Sequence, residues 1–342
     1  MSGGVDSSVA AALLLEAGHD VTGCTLKLWG GTSDRGCCSV SDVDDARRVA
    51  QQLGIDHFVF NFGESFRAAV IDPYVSAYAS GRTPNPCVEC NRSIKFDRLL
   101  HRAYALGFDA LATGHHARID CEQIDCEQRI WRLRRGVDAA KDQSYVLHML
   151  GQEQLARTLL PVGHLTKSAV RQRATTLGLR TAGKPDSQDV CFIGSTEGRS
   201  SFLDGRLALR PGRVVDAAGV EVGRVPAVQL VTVGQRRGLG LAGGTDPQYA
   251  VSVDVPTATV TVGRRSELLS SRVQVGSMSW TARPAAGPVT VQCSAHGAPR
   301  SATFDPESSV VHFEESVPRV APGQSVVLYS GDRVLGGGPA DP

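Results

Sequence analysis

Ser2-Gly3-Gly4-Val5-Asp6-Ser7-Ser8 runs directly into Val9-Ala10-Ala11-Ala12-Leu13-Leu14-Leu15. The second stretch is built from strong helix formers and is closed by Gly18, so the first is a loop on a helix N-terminus. Unpaired backbone N–H groups and the positive end of the dipole favour an anion there, and glycines let the backbone close around a phosphate. The loop is not of the Walker A kind, because no Gly-Lys-Ser/Thr follows and no lysine of its own reaches forward to the phosphates.

A helix-borne phosphate loop belongs in an α/β layer structure, and the next segments fit one. Val21 to Leu28 alternates as a strand, Ser41-Asp42 caps a helix running to Leu53 and stopped by Gly54, and His57 to Asn61 is a second strand. Glu64 to Tyr78 is helical, Gly81 to Cys90 is a proline-rich loop, Ile94 to Leu106 is a helix, and Ala110 to Thr113 is a short buried strand ending at Gly114-His115-His116. Strands alternating with helices imply a parallel sheet with helices on both faces. Ligands then bind at the carboxyl ends of the strands, where the loops carrying Gly3, Leu26 and Gly114 converge. Such a phosphate loop ordinarily follows a strand, so either the start lies upstream of Met1, which is the expectation, or the first strand is missing.

Asp142-Gln143-Ser144 opens a further helical stretch and Thr166 to Leu177 forms another helix. From about Gly205 the texture changes to short β-branched runs separated by Gly, Pro and Asp turns. These are Gly212 to Val215, Val228 to Val233, Tyr249 to Val255, Thr259 to Val262, Arg272 to Trp280, Val289 to Cys293, Val310 to Phe313 and Ser325 to Tyr329. This reads as a small β-rich module followed by a β-barrel, with Gly336-Gly337-Gly338-Pro339 as a loose tail. The expected division is 1–200, 201–265 and 266–342.

The 342 residues, 42% hydrophobic and 21% charged, are those of a globular protein with ample core. No apolar run reaches the length of a membrane span and no leader pattern opens the chain, so a cytoplasmic location is expected. A formal charge of +1 gives no global pull toward nucleic acid; local patches such as Arg132-Leu133-Arg134-Arg135 and Gln235-Arg236-Arg237 would have to supply it.

Nine cysteines without a secretion signal argue for reduced thiols, some of them reactive or metal-bound. Cys121 and Cys126 sit at the tip of a predicted hairpin with no matching second pair. In Thr83-Pro84-Asn85-Pro86-Cys87-Val88-Glu89-Cys90-Asn91, two prolines stiffen the backbone. A Cys-x-x-Cys there suits a redox pair, half a metal site or a nucleophile with a bystander. A third cysteine stands far along the chain in Lys184-Pro185-Asp186-Ser187-Gln188-Asp189-Val190-Cys191-Phe192-Ile193-Gly194.

Together these segments carry a resemblance. Ser2 to Ser8 resembles the PP-loop of ATP pyrophosphatases, which split ATP into AMP and pyrophosphate. With it come Gly81-Arg82-Thr83-Pro84-Asn85-Pro86, Cys90-Asn91 with Ile94-Lys95-Phe96, Ala112-Thr113-Gly114-His115, Lys141-Asp142-Gln143-Ser144-Tyr145, Cys191-Phe192-Ile193-Gly194, Gly234 to Gly240 and Pro322-Gly323-Gln324-Ser325. In this order the set resembles the tRNA-specific 2-thiouridylase (MnmA/TrmU) family over nearly the whole chain.

The resemblance implies ATP-dependent 2-thiolation of the wobble uridine of tRNA (Lys, Glu and Gln types), with a different PP-loop tRNA-modifying ligase as the alternative. ATP and Mg²⁺ would bind at Ser2, Gly3, Gly4, Val5, Asp6, Ser7, Ser8, Leu26 and Gly114, with Asp6 holding Mg²⁺ through the nucleotide. Cys90 would be the nucleophile and Cys191 the carrier of a persulfide supplied by a cysteine desulfurase or a sulfur-relay protein. Asn85, Pro86 and Cys87 would line the extruded base, and His115, Lys141, Asp142, Gln143 and Gln324 would contact tRNA. Part of the family has Asp at the Cys87 position, so Cys87 would assist, or Cys87, Cys90 and Cys191 would hold a [4Fe–4S] cluster instead. This chain also departs from the family pattern at His116, usually Tyr, and at Ala295-His296-Gly297, where Arg-Tyr is common.

Overall fold

A computed structural model of the chain describes residues 1–28, 40–123, 129–186, 190–193, 198–242 and 246–341. Cys126 of the Cys121–Cys126 pair, and Ser187, Gln188, Asp189 and Gly194 of the motif around Cys191, lie outside the described residues.

Helix α1 (Val5–Glu16) starts at the glycine loop and is followed by strand β1 (Gly23–Lys27), helix α2 (Val40–Leu53) and strand β2 (His57–Asn61). Residues 63–79 form one helical run and residues 86–105 another; the second is widened into π-type turns over Cys90–Leu99. It begins eight residues before the expected Ile94, because Asn85 and Pro86 start a helix inside the predicted loop. Strand β3 (Leu111–Ala112) leads into the hairpin β4 (Ala117–Gln123) and β5 (Arg129–Arg135). Strand β6 (Thr158–Leu159) and helix α3 (Lys167–Thr176) complete this part.

The parallel pairing expected from alternating strands and helices is present in two ribbons, β1 with β2 and β3 with β6. Met1 runs beside β1: its amino group donates to the Cys24 carbonyl, and its carbonyl accepts from Thr25 Oγ1 at 2.6 Å. Helix α1 buries Val5, Val9 and Ala10 against Val162, Val170 and Ala174, so α3 is held across the helix that carries the loop.

The β-rich part has strands β7 (Gly212–Val215), β8 (Glu221–Val225), β9 (Tyr249–Asp254) and β10 (Thr259–Gly263) in one four-stranded sheet. Beyond it come β11 (Leu269–Gln274), β12 (Ser279–Trp280), β13 (Gly287–Gln292), β14 (Arg300–Asp305), β15 (Val310–Pro318), β16 (Ser325–Ser330) and β17 (Arg333–Pro339). Of these, β8, β14 and β17 have no counterpart among the predicted runs. Val228 to Val233 is not a strand but begins with a 3₁₀ turn over Val228–Leu230. Buried Gln229 holds it there, accepting from the Arg210 N–H and donating to the Ala208 carbonyl, at 3.0 Å each.

The expected loose tail is instead a paired strand. Residues 336–338 lie in β17, between β16 and the short β12. A Cβ on Gly336 would stand 2.2 Å from the Ser279 carbonyl oxygen, one on Gly337 2.6 Å from that of Val326 and one on Gly338 2.9 Å from that of Gly276. The glycines are there because backbone approaches on both sides leave no room for a side chain.

The same strand joins the two ends of the chain. Arg333 of β17 pairs with Arg134 of β5, which extends the C-terminal sheet through the hairpin to nine strands. Asp332 accepts from Arg118 at 2.6 Å and from Arg134 at 2.7 Å. Beneath this junction Leu133, Tyr145, Leu147, Val327, Tyr329 and Val334 form one core.

His148 is buried beside this core and donates from Nδ1 to the Tyr145 carbonyl at 2.8 Å. Burial pushes its pKa down to about 4, against the pull of that bond and aided by Arg92. The unfolded chain therefore binds a proton below about pH 6.5 that the native state refuses, so stability rises with pH between about 4 and 6.5. Lowering the pH across that window is expected to remove about 3 kcal/mol of folding free energy, and half-buried His115, whose pKa is also lowered, adds in the same sense. Urea unfolding at pH 7 and pH 5 checks this; identical midpoints would contradict it.

Candidate active site

The phosphate loop is closed by its own hydroxyls. Ser7 Oγ accepts from the Ser2 N–H at 3.1 Å and donates to the Gly4 carbonyl at 3.2 Å, and Ser8 Oγ donates to the same carbonyl at 2.8 Å. Gly4 is the residue before the first turn of α1 and Asp6 lies within that turn. Gly3 has φ +69°, and a Cβ there would lie 2.3 Å from the Asp42 carbonyl oxygen at the start of α2. On the other side Gly114 presses on the loop: its Cβ would stand 2.7 Å from Asp6 C and from Ser7 N. Only glycine permits both approaches, so loop, α2 and the end of β3 converge as the topology requires.

Asp6 is the electrostatic centre. Its carboxylate accepts from Lys167 Nζ at 2.7 and 2.8 Å, and His116 Nε2 lies 3.0 Å from Oδ1. Burial alone would raise its pKa, but the bonds to His116 and Lys167 outweigh this and hold the acid below the usual range. Lys167 Nζ also reaches Asp186 Oδ1 at 3.0 Å, and Asp186 is paired with Lys141 at 2.8 Å and with Arg171 at 2.6 Å. Here too partial burial opposes ionisation and is overcome, by the bonds from Lys141 and Lys167, so Asp186 stays well below the normal carboxylate range.

The segment leading to Cys191 is tied to both neighbouring helices. Arg171 of α3 donates to the Ala182 and Lys184 carbonyls at 2.9 Å, and Lys184 donates to Asp42 and Asp45 of α2 at 2.5 and 2.9 Å. Phe192, buried at 7% exposure, then wedges between Phe66, Tyr74 and Phe202, at ring-centre distances of 5.6, 5.6 and 5.1 Å. Cys90 is buried in this cluster, and Cys191 and Leu26 pack against it. Two cysteines 101 positions apart in sequence thus share one apolar cluster.

The segment leading into the helix that presents Cys87 and Cys90 is clamped from the far end of the chain. The Thr83 N–H donates to the Pro322 carbonyl at 2.8 Å, Gln324 Nε2 donates to the Thr83 carbonyl, and Arg82 pairs with Asp341 at 2.7 Å. Asn85 Oδ1 accepts from the Cys87 N–H at 2.9 Å and caps the helical turn Pro86–Glu89. Pro86 is buried and Cys87 half-buried. Among the described residues no group of three or more His, Cys, Asp or Glu side chains is placed to hold a metal ion. The three cysteines therefore do not form a ready cluster site.

The remaining predicted contacts divide by location. Lys141 and Gln143 are at the surface. The Asp142 side chain is turned inward, accepting from Arg135 at 2.8 Å, from the Gly136 and Ser144 N–H groups at 3.0 Å and from Ser144 Oγ at 2.9 Å. Gln143 Oε1 accepts from the His116 N–H at 2.9 Å, linking this turn to the residue beside Asp6. His115 Nδ1 lies 2.8 Å from Thr113 Oγ1, and burial, with Lys95 and His116 nearby, drives its pKa well below the usual histidine value.

Sequence reasoning did not assign Lys167 or Asp186 to the site. One signal was available: Lys167 occupies the first turn of a helix that starts at the Thr166 cap, where a cation opposes the dipole unless an anion outside the helix offsets it.

The tRNA methyl transferase HUP domain family matches residues 1–195, the tRNA methyl transferase PRC-barrel domain family residues 200–264, and the aminomethyltransferase beta-barrel domain family residues 270–340. The chain is 48% identical to the tRNA-specific 2-thiouridylase MnmA of Roseiflexus castenholzii, over 99% of this chain and 97% of that one. It is 47% identical to the protein of the same name from Chloroflexus aurantiacus, over 99% and 96% of the two chains. For that of Mycobacteroides abscessus the identity is 47%, over 98% and 96%. With a phosphate loop, a clamped cysteine loop and this similarity along its whole length, the chain belongs to the tRNA-specific 2-thiouridylase family.

Proposed function

We propose that this protein is an ATP-dependent sulfurtransferase that converts the wobble uridine of a tRNA to 2-thiouridine. The observation that carries the reading is the joint presence of a glycine-built phosphate loop and a buried apolar cluster shared by Cys90 and Cys191. The uracil C2 oxygen attacks the α-phosphorus of ATP and pyrophosphate leaves toward the loop at Ser2 to Ser8. Backbone N–H groups and the α1 dipole stabilise the departing charge there. Asp6 has the position and ionisation to hold a Mg²⁺ on the phosphates, which would neutralise charge on the leaving group.

Asn85, Pro86 and Cys87 receive the extruded base. A persulfide on Cys191 supplies the sulfur. Cys90 attacks the inner sulfur of that persulfide, hydrosulfide is released to displace AMP from C2, and a Cys90–Cys191 disulfide remains for a thiol reductant to open. Packing of Cys90 and Cys191 on one cluster supports this route, whereas among the described residues the metal-bound alternative has no assembled ligand group behind it. His115, Lys141 and Gln143 face the tRNA. Asp142 acts by shaping the turn that holds Lys141 and Gln143, and Gln324 by fixing the cysteine loop.

Three units, 1–200, 201–265 and 266–342, serve these roles, and the three family matches support that division. The reading is tested by ATP-dependent formation of 2-thiouridine in a wobble-uridine tRNA; without it, the proposal fails.

A further inference from the structure

The phosphate loop carries no lysine of its own between Ser2 and Ser8, yet a pyrophosphate leaving group develops charge that backbone dipoles alone neutralise only in part. The fold brings one in from 161 positions away. Lys167 Nζ lies 2.7 and 2.8 Å from the two oxygens of Asp6, with only 12% of its side chain exposed. Its backbone is held in place, since the Lys167 N–H donates to Asp138 Oδ2 at 2.9 Å and α3 is packed on α1. The ammonium is thus delivered to the first turn of the loop's own helix. Its second partner, Asp186, is shared with Lys141 and Arg171.

We propose that Lys167 is the phosphate-binding cation of this loop, contacting the pyrophosphate portion of the nucleotide, and that Asp186 is its alternative anionic partner. The proposal rests on the reading of Ser2 to Ser8 as a phosphate loop. If Asp6 were to hold Mg²⁺, its charge would be shared, and the Lys167 ammonium would be free to turn from that carboxylate to a phosphate bound at the same turn. Asp186 opposes that transfer by holding Lys167 with its own charge, and it sits on the segment that continues to Cys191.

The experiment is calorimetric binding of inorganic pyrophosphate with Mg²⁺ to the full chain and to three variants, each checked by its thermal melt. Lys167→Gln is expected to weaken binding by about 10-fold or more, and Lys167→Arg, which keeps the charge, to stay within about 3-fold of the parent. Asp186→Asn removes a negative charge beside the site and is expected to tighten pyrophosphate binding by about 3-fold. A merely structural role for Asp186 would weaken it. Equal affinity of the parent and Lys167→Gln would overturn the assignment of Lys167 while leaving the loop as a phosphate site. Weaker binding by Asp186→Asn would overturn the role of Asp186. Failure of the parent chain itself to bind pyrophosphate would overturn the phosphate reading of the loop and this proposal with it.

Discussion

Cys90→Ser is expected to lower 2-thiouridine formation by roughly 10³-fold or more, because a hydroxyl at neutral pH does not replace a thiolate as attacking group on a persulfide sulfur. Formation of pyrophosphate from ATP and tRNA is expected to persist in the same variant, since Asp6 and the loop lie on α1 and not on the cysteine helix. Cys90 is 7% exposed and packed against Phe66, Ile94 and Phe192. The hydroxyl costs on the order of 1 to 3 kcal/mol in such a setting, so the melt of the variant and of Cys90→Ala is read alongside. Thiolation lost in both, with the fold retained and pyrophosphate still released, is the expected pattern. Thiolation retained by Cys90→Ser contradicts the assigned role.

Asp6→Asn is expected to reduce adenylation, read as tRNA-dependent pyrophosphate release, by about 10²-fold or more. The amide keeps the shape but removes the charge that Lys167 and His116 converge on, and it is a poor ligand for Mg²⁺. The Asp6 side chain is 31% exposed, so solvent already screens these pairs and the loss of folding stability is expected to be small. A full rate at saturating Mg²⁺ and ATP would show that Asp6 only ties α1 to α3. Together the two variants separate the halves of the reaction: one blocks activation of the oxygen and the other blocks sulfur delivery.

Local chemistry made much of this arrangement legible. The glycine loop on α1, the parallel strands β1 and β2, the proline-stiffened cysteine loop and the β-rich second half follow from glycine and proline geometry and from side-chain periodicity, which act over a few residues. What stayed hidden depends on partners far apart in the chain. The hairpin β4–β5 reads as a two-stranded excursion, yet Asp332 and the pairing of Arg333 with Arg134 make it part of the C-terminal sheet. Gly336 to Pro339 reads as a tail because glycine and proline signal flexibility locally, whereas close backbone approaches require those glycines. Lys167 meets Asp6 only when α3 is laid across α1, and Gln324 reaches Thr83 only when the two ends of the chain meet.

The central claim is tested most directly by incubating the full chain with a wobble-uridine tRNA, Mg²⁺, a persulfide donor and either ATP or no nucleotide, then digesting the tRNA and quantifying 2-thiouridine by mass spectrometry. The account predicts 2-thiouridine at the wobble position only with ATP, accompanied by one AMP and one pyrophosphate per sulfur inserted. ATP-independent thiolation, or pyrophosphate release with no sulfur in the tRNA under these conditions, would contradict it.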